Sequence, residues 1–330
     1  MSELRARVIS QEKGLYQISS GTEVKQASVS GKFRYEAQTV SGYPAVGDYV
    51  LAEWQEAGSP AIIRSLFPRK SCFLRKAAGS AKQEQVVAAN IDTVFLCMSL
   101  NQNFNLRRLE RYLSIAYDSG AEPVVVLTKA DLCQDPEDKL AQVRTAAPGA
   151  EILTVSSLTG DTDAVLPYIL PGRTVAFLGS SGVGKSTLIN KLMGTSALAT
   201  GAVGTADKGR HTTTHRQLLT LPNGAFLIDT PGMRELGMWD SDGGIDTAFQ
   251  DLLELTRACR FSNCTHTAEP GCAVLKALAD GTLDAGRWES FRKLKLENAS
   301  AAERSRYLDA KREKFKSISK TNKTNRKSGS

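Results

Sequence analysis

The residues with the clearest chemical meaning are Gly179, Ser180, Ser181, Gly182, Val183, Gly184, Lys185 and Ser186, which fit G-x-x-x-x-G-K-[ST] without a mismatch. A loop of this type turns successive backbone N–H groups toward phosphate oxygens. Its glycines avoid Cβ clashes, and the helix that follows adds a field favourable to anions. Lys185 is expected to reach the β- and γ-phosphates, and the Ser186 hydroxyl to ligate Mg²⁺. Thr174–Leu178 before the loop reads as a short buried strand, and Thr187 onward reads as the first turns of a helix.

A second constellation lies upstream. The apolar run Pro123–Leu127 predicts a buried parallel strand, and it delivers Thr128-Lys129-Ala130-Asp131 to the carboxyl end, where open α/β sheets bind nucleotides. A carboxylate at Asp131 can accept from both N1–H and the exocyclic amine of guanine, a donor pair that adenine lacks. Lys129 would lie along the base. A further strand, Ile152–Val155, ends at Ser156-Ser157, which suits a small loop supporting the base edge.

Downstream, Phe226–Ile228 leads into Asp229-Thr230-Pro231-Gly232, a D-x-x-G signal. Asp229 would hold Mg²⁺ through water, and the Gly232 N–H would sense the γ-phosphate. Between these signals, Gly209-Arg210-His211-Thr212-Thr213-Thr214 reads as a switch loop. Either Thr213 or Thr214 would complete the Mg²⁺ shell.

Base reader, base-edge loop, phosphate loop, switch threonine and D-x-x-G therefore occur in that order. In an ordinary GTPase the phosphate loop comes first. The order implies a circularly permuted GTPase domain. The residue after D-x-x-G is Met233, which cannot orient an attacking water as the glutamine of Ras-type enzymes does. His211 is the candidate to orient or deprotonate water in its place; the alternative is that it only packs or binds a phosphate.

Cys259-x4-Cys264-x-His266-x5-Cys272 offers three thiolates and an imidazole, the donor set of a closed, structural zinc site. The remaining cysteines, Cys72, Cys97 and Cys133, are scattered, and Cys97 falls in an apolar strand that reads as core. The absence of a signal peptide or a transmembrane-length apolar run favours a metal over disulfides.

These sites must be carried by more than one domain. Residues 1–70 alternate short strand-like segments with glycines, which predicts a small β-barrel of OB type. Residues 71–88 read as a basic, flexible linker, 89–243 as the permuted GTPase, 244–310 as a helical zinc-binding module and 311–330 as a disordered tail. Of 42 basic and 35 acidic residues, eight and one respectively fall in that tail, so it carries the whole net charge of +7. Such a tail suits RNA through phosphate neutralisation, or merely solubilises. No apolar anchor accompanies it, which argues against a membrane.

The barrel, permuted GTPase and Cys₃His module together resemble the RsgA (YjeQ) family of bacterial ribosome-biogenesis GTPases over nearly the whole chain. The most specific pieces are residues 209–214, Asp229–Gly232, and the cysteine cluster with Glu269-Pro270-Gly271 inside it. The resemblance implies a cytoplasmic monomer acting late in assembly of the small (30S) ribosomal subunit. It would bind the subunit and its rRNA in the GTP form, have hydrolysis accelerated there, and leave as GDP. It also implies a catalytic role for His211 with Lys185, one structural Zn²⁺, and Mg²⁺ with the nucleotide. The chain departs from the family at Thr128, where asparagine is usual; threonine keeps a hydrogen-bonding oxygen and loses the amide. Rival readings are an RNA-binding scaffold with the nucleotide as a conformational timer, a permuted GTPase of the large subunit, and a P-loop kinase or ATPase.

Overall fold

The computed structural model describes residues 2–12, 14–37, 39–55, 59–76, 84–156, 162–194, 216–229 and 242–300. The five strands of the N-terminal region are β1 (Ser2–Glu12), β2 (Leu15–Ser19), β3 (Val24–Val29), β4 (Tyr49–Trp54) and β5 (Ala61–Leu66), with helix α1 (Gly31–Glu36) between β3 and β4. They pair in the order β1-β2-β3-β5-β4, and β4 returns to β1. That closure makes the expected OB-like barrel. Alternating residues point inward, so that Val8, Ile18, Val50, Ala52, Ala61 and Ile63 are fully buried in one core.

Within the stretch 71–88, whose charge suggests a flexible linker, the described residues form two strands, and residues 77–83 lie outside the described residues. Strands β6 (Cys72–Lys76) and β7 (Glu84–Ala89) pair antiparallel, from Cys72↔Ala89 to Lys76↔Glu84. Phe73, Val87 and Ala88 of these strands are buried in the main core. Arg69, just before β6, is also anchored. Its guanidinium forks onto the buried Asp48 carboxylate at 2.8 and 2.7 Å and donates to the carbonyls of Ser41 and Tyr43. A bidentate pair of this kind, with its remaining donors satisfied, fixes orientation as well as adding energy.

The central sheet runs β10 (Glu151–Thr154), β9 (Glu122–Thr128), β8 (Thr93–Ser99), β11 (Thr174–Leu178), β13 (Phe226–Asp229) and β12 (Arg216–Thr220). All are parallel except β12. β8 is buried along its whole length, and β9 everywhere after Glu122, as parallel strands covered on both faces must be. Helices α2 (Leu106–Ser119), α3 (Pro136–Ala146) and α4 (Lys185–Met193) connect them. β1 also pairs with β12, Ser10 opposite Gln217, so barrel and central sheet form one eleven-stranded sheet.

The C-terminal helices are α5 (Asp242–Ala248), α6 (Gln250–Arg257), α7 (Ala273–Ala279) and α8 over residues 285–300. Asp284 caps α8 by accepting from the Arg287 N–H at 2.7 Å. Phe249, Leu252, Trp288, Phe291 and Leu294 share a core with Leu109 and Leu113 of α2. Full burial of a side chain such as Phe249 contributes about 2–3 kcal/mol relative to exposure. No helix among the described residues is long and apolar enough to cross a membrane.

Candidate functional site

Every described residue of the predicted nucleotide site lies at the carboxyl end of the central sheet. Thr128 ends β9, Ser156 follows β10, Gly179 follows β11 and Asp229 ends β13. The phosphate loop leaves β11 at Gly179, where φ is +155° and an added Cβ would sit 2.5 Å from the Cys97 carbonyl oxygen. Only glycine lets the loop cross β8 this closely. Gly184, at φ +98°, is the N-cap of α4 in a left-handed conformation. Lys185, Ser186 and Thr187 thus occupy the first turn of the helix. Lys185 Nζ donates to the Gly179 and Ser180 carbonyls at 2.6 and 2.7 Å. Cys97, beneath the loop, is 3% exposed; burial pushes its thiol up to about 12, against the pull of Lys185, so it is core.

The structure ties the segment expected to read the base to this loop. Thr128 is buried, and its hydroxyl donates to the Val183 carbonyl at 2.5 Å, across 55 residues of sequence. The oxygen that threonine retains is thus bonded to the phosphate loop. Lys129 adopts a left-handed conformation, φ 57°, and Ala130–Leu132 forms a 3₁₀ turn that leaves Asp131 exposed. Ser156 Oγ donates to Asp131 Oδ1 at 2.6 Å. One carboxylate oxygen is engaged by the base-edge loop, as the sequence order requires. Ser157, His211, Thr213, Thr214, Gly232 and Met233, like the tail 311–330, lie outside the described residues.

Sequence reasoning missed Arg108. On α2, its Nη1 donates to Ser180 Oγ of the phosphate loop at 3.0 Å. No motif spacing marks it, because the contact joins residues 72 apart.

Cys259, Cys264, His266 and Cys272 converge, with their ligand atoms all within 4.8 Å of one another. Cys259 Sγ lies 3.9 Å from Cys272 Sγ, and His266 Nδ1 lies 3.5 Å from each of these sulfurs. A tetrahedral site with Zn–S of about 2.3 Å needs sulfurs about 3.8 Å apart, so the donors fit zinc in type and spacing. Desolvation raises the Cys259 thiol, but N–H groups of Ala273 and Val274 and the neighbouring thiols bring it below its ordinary value. The ligand loop is braced by Glu269, whose carboxylate accepts from the Thr265 hydroxyl, from the Thr265 N–H at 2.7 Å and from the Thr267 N–H at 2.9 Å. These bonds, the Thr265 hydroxyl first, hold the Glu269 carboxyl well below the usual carboxylate range. The His266 ring packs edge-on against Trp288 of α8, 5.3 Å between centroids.

Residues 66–239 match the family described as RsgA GTPase. The chain is 48% identical over 309 residues to the small ribosomal subunit biogenesis GTPase RsgA 2 of Lactiplantibacillus plantarum, covering 93% of this chain and 87% of that protein. Among solved structures, YjeQ from Thermotoga maritima superposes with a TM-score of 0.65 at 26% identity, over 90% of this chain and 99% of that one. YloQ, described as a circularly permuted GTPase, gives 0.62 at 25% identity, over 91% and 96%. Thr128–Asp131 after β9, Gly179–Ser186 after β11 and Asp229 on β13 follow one another in the order expected of a permuted domain, and the family match with these relatives establishes the chain as a GTP-hydrolysing, circularly permuted member of the RsgA GTPase family.

Proposed function

We propose that this GTPase acts in late maturation of the small ribosomal subunit. It binds the subunit and its rRNA in the GTP form, hydrolyses GTP faster there and departs as GDP. The observation that carries the nucleotide half of this reading is the Thr128–Val183 hydrogen bond, which joins base reader and phosphate loop into one site. The ribosomal half is supported by the name of the L. plantarum relative, which spans nearly the whole chain. It is supported further by the barrel, since OB-type barrels commonly bind nucleic acid, and by the basic tail. Such a factor works in the cytoplasm, as a monomer.

In this reading Asp131 accepts from guanine and, steadied by Ser156, selects GTP over ATP; Lys129 lines the base. Lys185 turns from the two carbonyls it now meets to the β- and γ-phosphates. Backbone N–H groups from Ser180 to Thr187 cradle the phosphate oxygens. Mg²⁺, when bound, neutralises developing charge on those oxygens; Ser186, Asp229 through water, and Thr213 or Thr214 would hold it. Gly232 reads the γ-phosphate. His211 orients water for attack on the γ-phosphorus, and the bond to the β–γ bridging oxygen breaks to release GDP and phosphate. The four residues Cys259, Cys264, His266 and Cys272 hold one structural Zn²⁺.

The test is steady-state GTP hydrolysis alone, with purified small subunits and with large subunits. Stimulation by small subunits only is expected, and it should be lost in His211→Ala while GTP binding persists. Equal stimulation by large subunits, or none by either, would overturn the ribosomal assignment.

A further inference from the structure

Helix α2 carries Arg107, Arg108, Glu110 and Arg111 in its first two turns. These residues reach in two directions. Glu110 is fully buried and accepts from Arg107 Nη1 at 2.6 Å and from Arg287 Nη1 of α8 at 3.2 Å. Arg287 is itself 2% exposed. Its other donors reach the Ala146 carbonyl at the end of α3, the Ala248 carbonyl of α5 and the Asp251 carboxylate of α6. One guanidinium therefore ties α2 and α3 of the GTPase domain to α5, α6 and α8 of the C-terminal module. Arg111 adds a fork onto Glu297 at 2.9 and 2.5 Å. Arg108, in contrast, reaches the phosphate loop at Ser180.

Two residues, and about 3 Å of helix rise, separate Arg108 from Glu110. A rotation or slide of α2 at Glu110 therefore moves Arg108 by a comparable amount. Ser180 is held on both sides, its carbonyl by Lys185 at 2.7 Å and its hydroxyl by Arg108 at 3.0 Å. When Lys185 leaves that carbonyl for a phosphate, the Arg108 bond continues to hold this side of the loop. Its positive charge also favours anions there.

We propose that the C-terminal helical module positions the phosphate loop: the Arg287–Glu110 pair fixes α2, and α2 presents Arg108 to Ser180. This rests on the assignment of residues 179–186 as the phosphate-binding loop. Arg108, Glu110 and Arg287 are positioning residues, remote from the reacting atoms. The pair suits this role because both groups are buried: losing Arg287 leaves Glu110 with Arg107 alone, and losing the Glu110 charge leaves Arg287 tied only to Asp251 and two carbonyls, so α2 is freed to shift.

The experiment is equilibrium titration of the full chain with a fluorescent GDP analogue, with zinc content and thermal melting measured on the same samples. Arg287→Met should weaken binding by about threefold to tenfold, the range seen along such coupled networks, with zinc retained. Glu110→Gln, which keeps the shape and removes the charge, should act in the same direction and serves if Arg287→Met does not fold. In an Arg108→Ala background neither change should weaken binding further, because the route to the loop is already cut. Arg108→Lys should restore part of the affinity. Unchanged affinity in both Arg287→Met and Glu110→Gln, or losses that multiply in the double variants, would overturn the proposal. A separate control guards the underlying assignment: if Lys185→Ala bound the analogue as tightly as the parent chain, the phosphate-loop assignment itself would fall.

Discussion

The loop at residues 179–186 and the Cys₃His cluster, in the proposed reading, each hold a charged guest and divide the labour between backbone and side chains differently. In the proposed reading of the loop, main-chain N–H donors cradle the phosphates beside the Lys185 and Ser186 side chains, and two further side chains act as tethers: Thr128 on Val183 and Arg108 on Ser180. In the cluster the binding groups are side chains. There the main chain acts as the brace, with Ala273 and Val274 donating toward Cys259 and the Thr265–Thr267 turn clasped by Glu269. A site made largely of backbone would tolerate side-chain change except at its glycines, its tethers, and Lys185 and Ser186. A site made of side chains tolerates none of its four ligands.

That contrast can be broken most severely at the cluster. Cys264→Ser should lose the metal and unfold the module, since structural zinc carries on the order of 10 kcal/mol of folding energy; metal analysis and helical signal check this. The largest effect in the loop should come from Lys185→Ala, which should weaken GTP by about 100-fold or more with melting unchanged. The tether is sharper still as a test. Thr128→Val should leave the Val183 carbonyl unpaired at about 2 kcal/mol, weakening guanine nucleotides about 30-fold. Thr128→Asn should bind normally, and a normal Thr128→Val would show the tether to be idle. The smallest change is expected from Glu269→Ala, which should lower zinc retention about tenfold, the low end for supporting residues around a metal, as read by competition with a chelator.

Local chemistry was legible in the sequence, and long-range charge pairing was not. The phosphate loop, the base reader and the Cys₃His set each declare themselves within about a dozen residues, because their chemistry fixes spacing. The barrel was legible from glycine punctuation and short alternating runs. The β6–β7 pairing was hidden because residues 71–88 read as a basic, flexible linker, whereas Arg75 meets Gln85 across the two strands and the preceding Arg69 is anchored on Asp48. Arg108 and Arg287 were invisible for a related reason. Their partners lie 72 and 177 residues away, and nothing in a helical arginine announces whether it faces water or a buried carboxylate.

The pairing of β1 with β12 bears on how the protein stays soluble while it folds. Without residues 2–12, the start of β12 at Arg216 and Gln217 would lose its partners Gln11 and Ser10 and end the central sheet as a bare edge. The barrel therefore covers that end of the edge, whatever else it touches. Excised from it, the GTPase domain would be prone to stick to copies of itself, and pieces of this protein should be harder to handle than the whole.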